Sequence, residues 1–323
     1  MKRFILIQLI MISLLIVAGC GDMAHQGNLE KVGMLVEGTI KEKSWDTKGY
    51  EGLQHIKDSF DVDVFYKENV KTEQDVLDAV DEFAHKGVNL IFGHSSSFGK
   101  YFVDISELYP DVHFVYFNGS YSSNNVTSFN FNGHVMGFFA GMVAGKMTLT
   151  DQVGIIAAYE WQPEVEGFYE GVKFQNPSAN VLIDYVHDWN ETEKAVDMYE
   201  EMKKKRADVF YPVGDAFSKK ILELAANDYL YAIGYVMDQS NVDPDAVLTS
   251  TVQHVDMLYS LAAEKFNKSK LKGKVYSFDF KNNIISLSPF SRIVPESFQL
   301  TLNKAIDEYK ETGLLPNQYA DQQ

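Results

Sequence analysis

The chain has 323 residues, more than one hydrophobic core usually supports, with the 46% hydrophobic and 23% charged content of a folded globular protein. Its 45 acidic residues outnumber 29 lysines and arginines, for a formal net charge of −16, which argues against direct nucleic-acid binding because that needs a basic footprint. One cysteine excludes an internal disulfide and a cysteine-built metal site.

Met1-Lys2-Arg3 is a short basic start. Phe4 to Val17 is apolar except for Gln8 and Ser13, and Val17-Ala18-Gly19-Cys20 follows. The run falls short of the ~20 apolar residues of a comfortable membrane span and has the layout of a signal peptide. Its four-residue ending resembles a lipobox, the cleavage motif before a cysteine that carries diacylglycerol. The alternative is an uncleaved anchor helix in which Cys20 is incidental. Residues 1–19 are therefore expected to be a lipoprotein signal peptide and residues 20–30 a polar tether. Cys20 would be the lipidated residue that holds the chain on the extracytoplasmic face of the cell membrane. Without residues 1–19, 27 basic residues face 45 acidic ones, a net charge of −18.

Strand and helix signals then alternate. Val32, Met34, Leu35 and Val36 make a short buried strand, broken at Gly38 and Thr39. A helix capped by Ser44 or Asp46 follows, with Tyr50, Leu53, Ile56 and Phe60 as its apolar stripe. Residues 61–66 are a strand. Residues 72–86 are a helix with Val76, Val80 and Phe83 on one face and Thr72 with Asp75 as its cap. Residues 88–93 and 113–117 are strands around a helix that stops before Tyr109-Pro110. Residues 125–131 are extended. Gly137, Gly141 and Gly145 recur at helical spacing within 133–147, which predicts an internal helix packed closely on another element.

The pattern restarts at Val153. Pro163 suits the first turn of a helix, and Asn190-Glu-Thr-Glu193 reads as a capping box. Strands at 181–187, 208–211 and 231–236 alternate with helices. Residues 247–252 are extended and 255–266 helical. Residues 275–280 and 284–287 read as a strand pair across Lys281-Asn282-Asn283, before a last helix over 295–313. The fold class is α/β, with two Rossmann-like lobes and a ligand cleft between them. The first lobe is expected over 31–131, completed by 248–281. The second is expected over 132–247, completed by 282–323.

Loops at the carboxyl ends of the strands would line that cleft. They are 38–46, 94–98, 118–121, 159–162, 214–217 and 237–240. They bring aromatic residues Trp45, Phe98, Tyr159, Trp161 and Phe217, and polar partners Ser44, Asp46, Ser95, Asn118, Asp215, Asp238 and Gln239. Trp45 offers a flat face between two polar groups, so the ligand expected is a flat heterocycle or sugar. No zinc-protease, Walker, nucleophile-elbow or dinucleotide motif is present, so neither an enzyme nor a cofactor is expected. His187-Asp188 reads as a surface pair, since adjacent strand residues point to opposite faces. Lys203 to Arg206 reads as a solvated helix C-terminus.

The mature chain resembles the basic membrane protein family, the PnrA-like solute-binding lipoproteins of bacterial ABC importers. Many short matches in order carry the resemblance. They include Val32-Gly-Met-Leu-Val-Glu, Lys43-Ser-Trp-Asp, Tyr50-Glu-Gly-Leu and Leu90-Ile-Phe-Gly. Tyr109-Pro-Asp-Val-His-Phe-Val, Ala140-Gly-Met-Val-Ala, Ile233-Gly through Asp238-Gln239, and Val247-Leu-Thr-Ser continue it. The resemblance implies a type I periplasmic-binding fold, a purine nucleoside-like ligand and a membrane permease or signalling partner. It places Glu37, Ser44, Trp45, Asp46, Asp238, Gln239 and Lys281 at the ligand, to which the strand-end loops add Asn118 and Asp215 as candidates.

Four positions depart from the family pattern. Glu37 stands for a shorter acid, Ser44-Trp45-Asp46 for Ser-Phe-Asn, and Val236 for a ribose-binding carboxylate. Losing that carboxylate removes hydrogen bonds worth about 1.5–3 kcal/mol, which predicts weakened or altered nucleoside binding. Within the family the chain is similar to a membrane lipoprotein that positively regulates competence gene expression. That implies a regulatory role exerted indirectly from the membrane; the alternative is an active substrate-binding protein of an ABC transporter.

Overall fold

The structure, a computed structural model, describes residues 27–40 and 44–320. The expected signal peptide, Cys20 and most of the tether lie outside the described residues. The first lobe alternates β1 (Lys31–Leu35), α1 (Ser44–Phe60), β2 (Asp63–Lys67), α2 (Glu73–His85), β3 (Leu90–Gly93), α3 (Phe98–Ile105), β4 (His113–Phe117) and β5 (Val126–Phe131). Val32 and Met34 enter one core cluster while Leu35 enters another on the opposite side of the sheet. A parallel strand covered on both faces must be apolar throughout, and this is why these strands read as unbroken hydrophobic runs.

The second lobe repeats the plan with α4 (Gly133–Met147), β6 (Gln152–Ala157), α5 (Pro163–Gln175), β7 (Asn180–Tyr185), α6 (Thr192–Lys204), β8 (Val209–Val213), α7 (Asp215–Asn227), β9 (Tyr231–Gly234) and β10 (Val247–Gln253). The chain then returns to the first lobe through α8 (Val255–Asn267) and β11 (Val275–Phe278). It ends in the second with β12 (Ile285–Leu287), α9 (Glu296–Thr312) and the short α10 (Pro316–Ala320). The first sheet runs β11-β5-β4-β3-β1-β2, parallel throughout. The second runs β12-β10-β9-β8-β6-β7, with β12 its antiparallel edge.

Two expected connections differ. Residues 248–253, assigned above to the first lobe, remain in the second sheet. There β10 pairs with β9 on one side and β12 on the other, so both rows of its backbone groups are used. The return starts with α8, whose Tyr259 packs against Gly52 of α1. The expected strand pair across Lys281 does not form. β11 pairs with β5 and β12 with β10, so each extends a different sheet. A 3₁₀ turn at Phe280–Asn282 and left-handed Asn283 carry the chain between them, and the Asp279 carboxylate accepts the Lys281 N–H. Joining an existing sheet completes a ladder that an isolated two-stranded hairpin cannot stabilise.

The Thr72 capping box on α2 forms as the sequence indicates. At α6 the cap is Glu191, whose carboxylate accepts the Glu193 N–H, and Asn190 is left to face the cleft. The glycines of α4 seat it against α5. A Cβ on Gly137 or Gly141 would collide with the carbonyl oxygens of Glu164 or Phe168. Gly167 and Gly171 of α5 admit the carbonyls of His134 and Phe138 in return. The two helices therefore touch backbone to backbone.

Candidate functional site

The carboxyl ends of the two sheets face each other across a cleft of about 410 Å³, a size that suits a small molecule. The first lobe supplies Glu37 after β1, Trp45 and Asp46 in the first turn of α1, and His94 after β3. Asn118 follows β4, and Phe131 ends β5. The second supplies Trp161 and Glu164 after β6, Trp189 and Asn190 after β7, Asp215 after β8 and Tyr235-Val236 after β9.

Trp45 is locked in place rather than loosely exposed. Its indole stacks on His94 with ring centroids 4.6 Å apart and planes 16° apart. Its Nε1–H donates to the His94 carbonyl at 2.9 Å, and the His94 Nε2–H donates back to the Trp45 carbonyl at 2.8 Å. That carbonyl can only accept, so the proton sits on Nε2 and leaves Nδ1 to accept from the Tyr259 hydroxyl at 3.0 Å. His94 is thus neutral, and burial holds its pKa down to about 4, against an opposing hydrogen bond to Trp45. Gly49 makes room for the imidazole, because a Cβ there would strike it.

A second buried histidine behaves alike. Thr127 gives its hydroxyl proton to the Lys272 carbonyl at 3.0 Å, so His113 Nε2 must donate to Thr127 Oγ1 at 2.8 Å. Burial lowers its pKa to about 3. Both groups stay neutral in the folded chain while the unfolded chain takes up protons below its ordinary value of 6.5. Stability should therefore be full above pH 6.5 and fall as pH drops toward 4, with His94 accounting for on the order of 3 kcal/mol. Urea midpoints measured across that window check this. A flat profile from pH 7 to 4 would contradict it.

The second lobe's wall contains an unusual acid. Glu164 lies in the first turn of α5, buried, and burial pushes its pKa above the ordinary 4.5. The Tyr235 hydroxyl donates to its Oε1 at 3.4 Å, a long contact. Gly133 leaves space for the carboxyl group. The lobes meet where the Trp45 backbone N–H donates to Asp215 Oδ1 at 3.4 Å. Tyr159, Trp161 and Trp189 pack together at the rim, with Tyr159 and Trp161 stacked at 5.4 Å and Trp161 63% exposed.

Of the residues expected at the ligand, Glu37, Trp45, Asp46, Asn118 and Asp215 line the cleft. Ser44 opens α1 next to Trp45, and its side chain lies outside the described atoms. Three lie elsewhere. Gln239 is buried, and its Oε1 accepts from Ser218 and from the Tyr235 N–H, bracing the loop after β9. Asp238 accepts the Ser240 N–H in a local turn. Lys281 lies 3.7 Å from Asp279 and over the Tyr309 ring at the last lobe crossing. Phe98 and Phe217 are fully buried core residues. His187 pairs at 3.5 Å with Glu160, both exposed. His94, Glu164, Trp189 and Tyr235 were not singled out. His94 and Tyr235 directly follow short strands, which is the one local signal they carry.

Val236 lines the cleft with φ 69°. A β-branched residue rarely adopts this left-handed conformation, and holding it there costs on the order of 1–3 kcal/mol. Val236→Gly relieves this backbone cost but gives up a side chain buried in the core cluster and loosens the unfolded chain, so a net loss of about 1 kcal/mol is expected, read as a lower denaturant midpoint.

The family model described as "ABC transporter substrate-binding protein PnrA-like" matches residues 29–319. The chain is 45% identical over 303 residues to the transcriptional activator protein Med of Bacillus subtilis, covering 94% of this chain and 96% of that one. A crystal structure of a transcriptional activator of the comK gene from Bacillus halodurans aligns with TM-score 0.84 at 43% identity, over 88% of this chain and 99% of that one. An ABC transporter solute-binding protein from Conexibacter woesei aligns with TM-score 0.74 at 19% identity, over 89% and 99% respectively. The fold is that of the type I periplasmic solute-binding proteins. With two doubly wound lobes, a cleft at their strand ends and a family match across nearly the whole described chain, this protein belongs to the PnrA-like family of ABC transporter substrate-binding proteins.

Proposed function

We propose that this chain is a lipid-anchored regulator that holds a small molecule between its lobes and acts on competence gene expression from the membrane, without touching DNA. The observation that carries the reading is the cleft itself: it is formed, lined by ordered aromatic and polar groups, and not filled by side chains. The likeness to two transcriptional activators supports the regulatory output. The net charge of −16 supports an indirect route. Binding without turnover fits a family and fold of solute-binding proteins. The ligand class is nucleoside-like, held on Trp45, with Glu37, Asp46, Asn118 and Asp215 as polar partners. Ser44, Asp238, Gln239 and Lys281 are assigned supporting or no direct contact.

Calorimetry of the mature domain against a nucleoside panel tests the binding, and micromolar affinity is expected for at least one member. A competence-promoter reporter tests the output: cleft variants should lose activation while remaining at the membrane. Cys20→Ser should abolish incorporation of a labelled fatty acid and release the chain from the membrane fraction. Retention of label would overturn the assignment of the anchor. The second reading, the substrate-binding component of an importer, is favoured by the family match. It predicts ligand uptake that stops when the chain is deleted.

A further inference from the structure

One stretch of this acidic chain is strongly basic. Between Glu264 and Asp279 stand Lys265, Lys268, Lys270, Lys272 and Lys274, with no acid among them. Lys265 lies in the last turn of α8, where the helix dipole favours a cation. That effect fades within a turn, yet Lys268, Lys270, Lys272 and Lys274 follow through the link into β11, all exposed. The fold gathers them. The ammonium groups of Lys265 and Lys274 lie 5.9 and 4.6 Å from the centre of the same Tyr276 ring. Lysines often guard the edge of a sheet, but β7, an edge strand of the second sheet, contains none, so guarding an edge does not require such a run. The chain enters the fold through this same surface. The Leu29 N–H donates to Asn267 Oδ1 at 3.1 Å, and Gly27 lies so close to Ser269 that a Cβ on it would strike the hydroxyl. Asn267 and Ser269 flank Lys268. Cys20 precedes Gly27 by seven residues, so the covalent tether reaches about 25 Å at most. Residues 21–26 carry one acid, Asp22. The described acids beside the run are Glu264, paired with Lys268, and Glu30.

We infer that the surface of Lys265 to Lys274 docks on anionic lipid headgroups and sets how the anchored chain stands on its membrane. This rests on Cys20 being the anchor, as proposed above, and adds an orientation to it. Two acyl chains already hold a protein on a bilayer, so the lysines turn the chain rather than retain it. The net charge of −16 opposes an anionic surface, but charges beyond a Debye length of about 10 Å at 0.1 M salt are screened, so the face nearest the lipid decides. β1 and β11 both start at this end of the first lobe and run parallel toward the cleft, where Glu37 follows β1. The first lobe therefore faces the lipid. The cleft lies further out by the length of a five-residue strand, about 17 Å.

The test is sedimentation with vesicles of the mature chain, residues 20–323, carrying Cys20→Ser so that no lipid holds it. One set of vesicles is phosphatidylcholine alone, and the other is phosphatidylcholine and phosphatidylglycerol in equal parts. Binding is expected to the anionic vesicles only, and should vanish at about 1 M salt, where the Debye length falls to about 3 Å. Lys270→Gln, Lys272→Gln and Lys274→Gln together should weaken it by at least about twentyfold, since one lysine close to an anionic surface is worth about fivefold. Lys204→Gln, Lys205→Gln and Arg206→Gln together remove the same charge from the basic run on the second lobe, and should change it by less than about twofold. All six side chains are exposed, so neither triple variant disturbs the core. Equal weakening by the two triples would show that total charge decides, and would overturn the inference. So would equal binding to phosphatidylcholine alone, or no binding to either vesicle. Lysine-dependent binding to DNA or inorganic polyphosphate but not to vesicles would assign the surface to another partner and overturn it as well. Because the chain tested carries no lipid, each of these failures leaves the Cys20 anchor standing. Conversely, a failed Cys20 labelling experiment leaves the lysine measurement as it is.

Discussion

Gly171→Val will unfold the second lobe. Gly171 faces the carbonyl of Phe138 on α4, and a Cβ there would collide with backbone, which cannot swing aside as a side chain can. The same contact recurs along the pair at Gly167, Gly137 and Gly141, so the helices cannot separate at one point without losing the others. Nearly all of α4 is buried, and both helices feed one core cluster that also includes residues of the first lobe. The cost is expected to be about 4 kcal/mol or more, at the far end of what one substitution does. Thermal or urea unfolding checks it. Gly87→Ala is the control: its φ of 80° disfavours a side chain but nothing stands within reach of one, so about 1 kcal/mol is expected. Equal costs at the two positions would show that conformation, rather than the space between α4 and α5, decides.

Trp45→Ala should weaken ligand affinity by about thirtyfold or more, through loss of a stacking surface worth about 2 kcal/mol. The loss does not stop at the ligand. Without the indole, the His94 carbonyl loses its donor, and the imidazole loses the ring stacked upon it. Asp46 follows Trp45 on the first turn of α1, so the polar wall is disturbed along with the aromatic one. Trp45→Phe keeps a face but removes the Nε1–H bond and should cost about 1 kcal/mol of the same affinity. Calorimetry with the nucleoside panel reads both variants. Unchanged affinity in Trp45→Ala would remove the indole from the site. A loss in Trp45→Phe as large as in Trp45→Ala would show that the hydrogen bond, not the ring face, is what the ligand needs.

Much of the architecture could be read locally. Buried parallel strands announce themselves as unbroken apolar runs, as at Val32–Val36 and Leu90–Gly93. Caps such as Thr72 with Asp75 and the N1 position of Pro163 depend only on residues within a few places of each other. The glycine spacing of 133–147 pointed to close packing, although the partner was not identifiable from it. Trp45, Asp46 and Asp215 were reachable because strand-end loops of a doubly wound sheet converge on one cleft.

The remaining features depend on distant partners. His94 and Tyr259 are 165 positions apart, and Glu164 and Tyr235 are 71 apart. Nothing in the neighbourhood of His94 says that its imidazole will be neutral, buried and stacked under an indole. Gln239 looked like a ligand contact because it follows a strand, but its side chain turns inward to Ser218. The strand pair expected across Lys281 failed because pairing is a competition among all available edges, and the edges of β5 and β10 are absent from any local window.

By itself the sequence determined the α/β class, the alternation of elements, the acidic surface and the loop carrying Trp45, since each follows from periodicity, composition or short-range capping. The tertiary structure alone decided which strand joins which sheet, how α4 and α5 meet at their backbones, and that four carboxylates share one cleft. The physical reason is the same each time. Electrostatic balance, hydrogen-bond pairing and close packing are properties of groups brought together in space, and folding brings together residues that the chain keeps far apart.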